Sequence, residues 1–91
     1  TTYKINLNIK KPNNEPVAAA NIYLYDGADG TGNILEQWTN QSISLFGEDG
    51  LSISKSGMLA SSGSLKIDWL GADGQQLGSS QIVSPISFKA E

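Results

Sequence analysis

Apolar and polar side chains alternate strictly at the start of the chain. Over residues 3–10, the apolar side chains Tyr3, Ile5, Leu7 and Ile9 alternate with lysines and asparagines. Successive side chains of a β-strand point to opposite faces, so this period of two predicts a strand with one buried and one solvated face. It is the strongest structural signal in the sequence.

Further short apolar segments follow, separated by clusters of Gly, Pro, Asn, Asp and Ser. None of them has the apolar stripe of a helix, and turn signals recur about every ten residues. The pattern predicts one all-β domain over residues 1–91, a small antiparallel β-sandwich with Greek-key connections and about seven short strands. The predicted strands span residues 3–10, 17–25, 34–38, 42–46, 51–55, 64–70 and 80–88.

Individual residues add constraints on strand position. Pro85 has no backbone N–H to donate, which predicts that the last strand either lies at a sheet edge or is divided into two pieces. Lys4 and Lys10 are of the residue type that blocks pairing at exposed edges, and we interpret them in that way. Trp69 shares its strand face with neighbouring apolar residues, so its ring is predicted to lie in the core.

The composition argues against catalysis. The 91 residues include no cysteine and no histidine, which removes disulfides, thiolate nucleophiles, the usual general base and the commonest metal ligand. A domain of this size has little apolar surface to spare for a deep enclosed site. Glu48 and Asp49 are adjacent and point to opposite faces of an extended segment, unlike the opposed carboxylates of glycoside hydrolysis. The sequence therefore predicts a non-catalytic protein.

The charged residues of the chain argue against some classes of binding partner. All six basic residues are lysines and the net charge is −3, so there is neither a guanidinium to grip phosphate nor a field to attract a polyanion. No stretch approaches the roughly 20 apolar residues of a membrane-spanning helix. We expect neither nucleic acid binding nor a membrane span. The sequence is compatible with a cytoplasmic as well as a secreted or cell-surface location.

Aromatic rings and amides cluster around an acidic, Gly-rich loop at residues 26–33. An aromatic ring can stack on a sugar while amides and carboxylates bind its hydroxyls, and such sites combine an apolar surface with a few polar groups. The sequence predicts a carbohydrate-binding, lectin-like module, and multivalent binding would favour a homo-oligomer. The predicted ligand-binding residues are Tyr23, Tyr25, Asp26, Asp29, Asn33, Gln37 and Trp38.

The same loop is a candidate calcium site. Carboxylates and backbone carbonyls on a flexible loop are the ligands that calcium requires, and Asp26 and Asp29 are the candidate metal ligands. The spacing differs from the helix-loop-helix calcium motif, because Ala28 stands where that motif has a ligand. The alternative interpretation is a plain turn in which Asp and Gly serve the backbone geometry. No other cofactor is expected.

The spacing from Tyr25 to Gly30 and Gly32 resembles the aromatic-to-glycine spacing of the βγ-crystallin Greek-key motif. Gly-Ala-Asp-Gly occurs at residues 27–30 and again at 71–74. The repeat indicates either two related halves or a chance match, which two alternating β sequences reach easily. The family pattern has an aromatic residue where Gly30 stands, and Gln76 occupies the position of a later glycine in the second copy. The resemblance implies a calcium-binding Greek-key domain.

A structural or assembly module is the competing function class. Immunoglobulin-like domains of adhesins, pili or tail fibres pair strand edges with neighbouring polypeptides and need no small ligand. The partner would then be another protein surface. Blocked strand edges would argue for a free-standing or discretely oligomeric module, so the position of the edges discriminates between these functions.

Overall fold

The computed structural model describes all 91 residues, Thr1–Glu91. It confirms an all-β fold of two antiparallel sheets with seven strands. The strands are β1 Tyr3–Ile9, β2 Ala19–Tyr25, β3 Ile34–Ser42, β4 Leu51–Met58, β5 Ser62–Leu70, β6 Gln81–Ser87 and β7 Lys89–Ala90.

The small sheet has the strand order β4-β1-β7 and the large sheet the order β3-β2-β5-β6. Pairing between strands that are distant in sequence holds each sheet together, since β1 pairs with β4 and β2 with β5. The chain changes sheet four times, between β1 and β2, between β3 and β4, between β4 and β5 and between β6 and β7. Each sheet therefore contains strands from both halves of the chain.

The core lies between the inner faces of the two sheets and contains twelve buried apolar residues. The alternation in β1 directs Ile5, Leu7 and Ile9 inwards, as predicted. Trp69 is only 5% exposed, which confirms its predicted core position. Its indole Nε1–H donates to Gln81 Oε1 at 3.0 Å, and its ring centroid lies 5.7 Å from that of Phe46.

The prediction of a strand at residues 42–46 is wrong. Strand β3 continues to Ser42, and Ile43–Leu45 form a 3-10 turn that ends with an N–H donated from Phe46 to the Ile43 carbonyl. The turn places the Phe46 ring in the core. A short apolar segment has the same pattern in a strand and in a buried turn, so periodicity could not distinguish them. The seventh strand is instead Lys89–Ala90.

The interpretation of the edge residues is correct in part. Pro85 lies in β6, an edge strand of the large sheet, and follows a cis peptide bond. Lys4 pairs with Lys89 of β7, so β1 is not an edge strand at that point and the interpretation of Lys4 as an edge-blocking residue is wrong. Beyond Lys4, however, no strand continues β7 alongside β1.

The two Gly-Ala-Asp-Gly segments do not mark matching halves. Shifting the chain by their spacing aligns the buried Ile22 with the partly exposed Lys66 and the outward Tyr23 with the buried Ile67. Inner and outer faces are therefore exchanged between β2 and β5. The similarity is confined to the turn residues, which recur wherever a chain must reverse.

Candidate functional site

The outer face of the large sheet carries part of the predicted ligand site. Ile22 and Leu24 are fully buried, so Tyr23 and Tyr25 point outwards. Tyr23 pairs with Gln37 of β3 on one side and with Lys66 of β5 on the other. The Lys66 Nζ lies 5.9 Å from the centre of the Tyr23 ring, within the range of a cation–π contact. A ring, an amide and an ammonium group thus form one row across the sheet.

Trp38 does not join this row. It pairs with Ile22, and directly opposed residues of antiparallel strands share a face, so its ring lies on the inner side of the sheet. There it packs, half-buried, against the core. A shift in the register between β2 and β3 between Ala20 and Ile22 sets this arrangement. Gln37 and Trp38 are adjacent in β3, so the two side chains could not share one face, and grouping them by their proximity to the loop was wrong.

The acidic loop is folded over the large sheet. The Asp26 carboxylate accepts the Asn33 backbone N–H at 2.7 Å and is 3.4 Å from the Asn33 side-chain amide. The buried Ser64 hydroxyl accepts the Gly30 N–H and donates to the Gly27 carbonyl, which fixes the loop on β5. Asp26 and Asn33 therefore close the base of the loop.

Asp29 lies at the tip of the loop in the left-handed conformation, with φ of 55°. Its backbone N–H donates to the Ser84 hydroxyl of β6 at 3.1 Å. The structure contains no cluster of three or more acidic or histidine side chains that could hold a metal ion. Asp26 already accepts two hydrogen bonds within the loop, and calcium binding by Asp26 and Asp29 stays a prediction.

The sequence did not reveal a second feature, an open groove between β1 and β6. Its volume is about 420 Å³. The floor is apolar, and Val83 pairs with the buried Leu65 on the inner face of the large sheet yet remains 39% exposed, because nothing covers it. The groove is lined by Asn6, Leu7, Asn8, Ile9, Lys10, Leu65, Ile67, Gln81, Val83 and Ile86.

The backbone of β1 is unpaired along this groove. The Glu91 N–H donates to the Thr2 carbonyl, so Thr2 and, by alternation, Lys4 direct their backbone groups towards β7. The same alternation directs the N–H and C=O groups of Asn6 and Asn8 to that side. No strand pairs with β1 there, because β7 begins at Lys89, opposite Lys4, and runs away from Asn6 and Asn8. The groove therefore has an apolar floor and one edge with free hydrogen-bonding groups.

Lysines lie at both ends of this edge. Lys10 and Lys11 follow β1 at one end, and Lys4 and Lys89 face each other beside the other end. The one ion pair of the structure joins Lys55 to Glu36, so none of these four lysines has a carboxylate at ion-pair distance. Glu48 lines the same surface depression as Lys10 and Lys11 without pairing with either.

Comparison with protein families, with curated proteins and with solved structures finds no significant match to this chain. No helix in the structure has the length and apolar character that crossing a membrane would require. The candidate functional surfaces of the domain are therefore two, the row of Gln37, Tyr23 and Lys66 on the large sheet and the groove between β1 and β6.

Proposed function

We propose that this domain is a non-catalytic recognition module that binds an extended segment of another polypeptide along the open edge of β1. The observation that carries the proposal is the unpaired backbone of Asn6 and Asn8 beside an uncovered apolar groove. An added strand would form main-chain hydrogen bonds with β1, while its alternate side chains would enter the groove. This is an assembly function of the kind that strand-edge pairing serves.

The shape of the groove favours a strand over a compact ligand. It follows β1 from Asn6 to Lys10, a length of roughly 17 Å for five residues at 3.4 Å per residue. The opposite edge is less suited to pairing, because Pro85 of β6 lacks an N–H. The incoming strand would therefore extend the small sheet and cover Val83 with its side chains.

A peptide titration tests this function. The probe is a capped seven-residue peptide in which valine alternates with threonine, with glutamine at both ends, added to the isotopically labelled protein. We expect saturable shifts in the amide resonances of Asn6, Asn8 and Val83. Shifts confined to the outer face of the large sheet, or no shifts at all, would refute the proposal.

Two adjacent residues of β6 provide a matched pair of variants. Val83 and Ile82 are 39% and 42% exposed, but Val83 faces the groove and Ile82 pairs with Lys66 on the outer face. Val83→Asp should abolish peptide binding because it places a charge on the apolar floor, whereas Ile82→Asp should retain it. Retention in both variants would exclude the groove as the binding site.

Carbohydrate binding on the outer face of the large sheet is the second candidate. The row of Gln37, Tyr23 and Lys66 offers a ring for stacking beside groups that can bind hydroxyls. A sugar that binds there should raise the melting temperature by mass action, and Tyr23→Ala should abolish the shift. Trp38→Phe, on the inner face, should retain it. Melts with millimolar calcium and with EDTA test the predicted cation in the same experiment.

A further inference from the structure

We infer that the strand recognised by the open edge carries carboxylates at its ends and belongs to a different polypeptide, not to a second copy of this chain. The inference rests on the proposed function and specifies the chemistry of the partner. It follows from three features of the groove. They are the alternation of inward and outward side chains in β1, the lysines without a carboxylate partner at both ends, and the repulsion between lysines if the β1 strands of two copies paired.

The facing pattern determines which positions of the partner must be apolar. Leu7 and Ile9 point into the core, and Asn6 and Asn8 point outwards, where they contact Ser54 and Ser52 of β4. A strand added beside β1 keeps this parity, because opposed residues share a face. Partner residues opposite Leu7 and Ile9 therefore enter the apolar groove, and those opposite Asn6 and Asn8 remain in water.

The lysines determine the charge at the ends of the partner. Lys10 has the outward parity of Asn8, so it faces an outward residue of an added strand. Lys89 lies in the column that this strand would extend, next to Lys4. Acidic residues at these two positions would pair with lysines that have no carboxylate partner in the free domain. Opposite charges on paired strands stabilise the pairing, and like charges oppose it.

The same lysines oppose pairing between the β1 strands of two copies of this chain. Two copies of β1 brought together antiparallel about Leu7 would place Lys10 of each copy beside Lys4 and Lys89 of the other. Three ammonium groups would then meet at each end of the new sheet, and Lys89 already occupies the position beside Lys4 that the second copy would need. Lysine at a strand edge is a common means of preventing such pairing. The edge thus discriminates against its own copy and in favour of an acidic strand.

The test compares three capped peptides with the same alternating valine and threonine centre and with glutamate, glutamine or lysine at both ends. We expect the glutamate peptide to bind about tenfold more tightly than the glutamine peptide at low salt, since several exposed ion pairs combine. The lysine peptide should bind least. Raising the salt concentration should reduce the difference between the glutamate and glutamine peptides.

Matched variants locate the effect. The double change Lys10→Gln and Lys11→Gln should remove about half of the preference for glutamate ends, expressed as free energy, because Lys4 and Lys89 remain at the other end. Lys66→Gln, on the outer face of the other sheet, should leave the preference unchanged. Equal binding of the glutamate and glutamine peptides would overturn this inference but leave the proposed function standing. Binding of none of the three peptides would overturn both. Concentration-dependent dimerisation of the free protein through β1 in sedimentation equilibrium would refute the exclusion of a second copy.

Discussion

The gap between the two sheets is closed along one long side of the sandwich and open along the other. Between β3 and β4 the gap is closed, because Glu36 and Lys55 form an ion pair across the sheets and Trp38 packs on the core from the edge strand. Between β1 and β6 the gap is open from Asn6 to Lys10, and Val83 is left half-exposed on an inner face. Both sides border the same core. They differ in whether side chains of the chain itself cover that core.

Connectivity explains the difference. On the closed side, the chain passes directly from β3 to β4 through the turn Ile43–Leu45, which brings Phe46 into the core. On the open side, the chain crosses from β6 to β7 at Phe88 and continues along β1 for two residues only. The rest of β1 has no neighbouring strand on this side, because the segment that precedes β7 along the chain is β6, which belongs to the large sheet. The closed side therefore contributes stability, whereas the open side leaves backbone groups of β1 unpaired.

Amide hydrogen exchange should separate the two edges of β1 most strongly. The amides of Leu7 and Ile9 point towards β4 and should exchange only through opening of the sheet, whereas those of Asn6 and Asn8 should exchange like exposed amides. The difference should approach the free energy of global unfolding, on the order of 5 kcal/mol. NMR exchange rates measure it. Equal protection of Leu7 and Asn8 would show that the edge is already covered.

Removing apolar side chains from each side tests their unequal contribution to stability. Phe46→Ala should lower the free energy of unfolding by about 3 to 5 kcal/mol, because it leaves a cavity beside Trp69. Val83→Ala should cost less than about 1 kcal/mol, because that side chain is already 39% exposed. Urea denaturation measures both, and similar losses at the two positions would contradict an open side.

The ion pair on the closed side should have the smallest effect. The side chains of Lys55 and Glu36 are 43% and 28% exposed, so Lys55→Gln should lower stability by about 0.2 to 1 kcal/mol. Thermal melts at low and high salt should show the loss shrinking as the charges are screened. Lys4→Gln, which breaks no ion pair, is the control. A larger loss at Lys4 than at Lys55 would assign the closure of this side to packing alone.

Most of the fold followed from the sequence. The alternation in β1, the inward position of Trp69 and the edge position of the strand with Pro85 were all predicted, because each depends on local periodicity or on the missing N–H of proline. The segment 42–46 was predicted wrongly because a strand and a tight turn bury a short apolar segment equally well. Within the candidate site, Tyr23 and Gln37 share a face, but Trp38 does not, because adjacent residues of a strand point to opposite faces. Which of Gln37 and Trp38 faces inwards depends on the register between β2 and β3, and that register has no local signal.

The sequence by itself determined that this protein is a small antiparallel sandwich, because a period of two, frequent turns and an apolar set sufficient for one core permit little else. The tertiary structure alone decided where the sandwich stays open. Which strands become neighbours depends on pairing between residues far apart in sequence, such as Tyr3 with Ala90. Asn6 and Asn8 have the pattern of an ordinary solvated strand face, and their backbone is unpaired only because the chain joins the small sheet as late as Lys89, opposite Lys4.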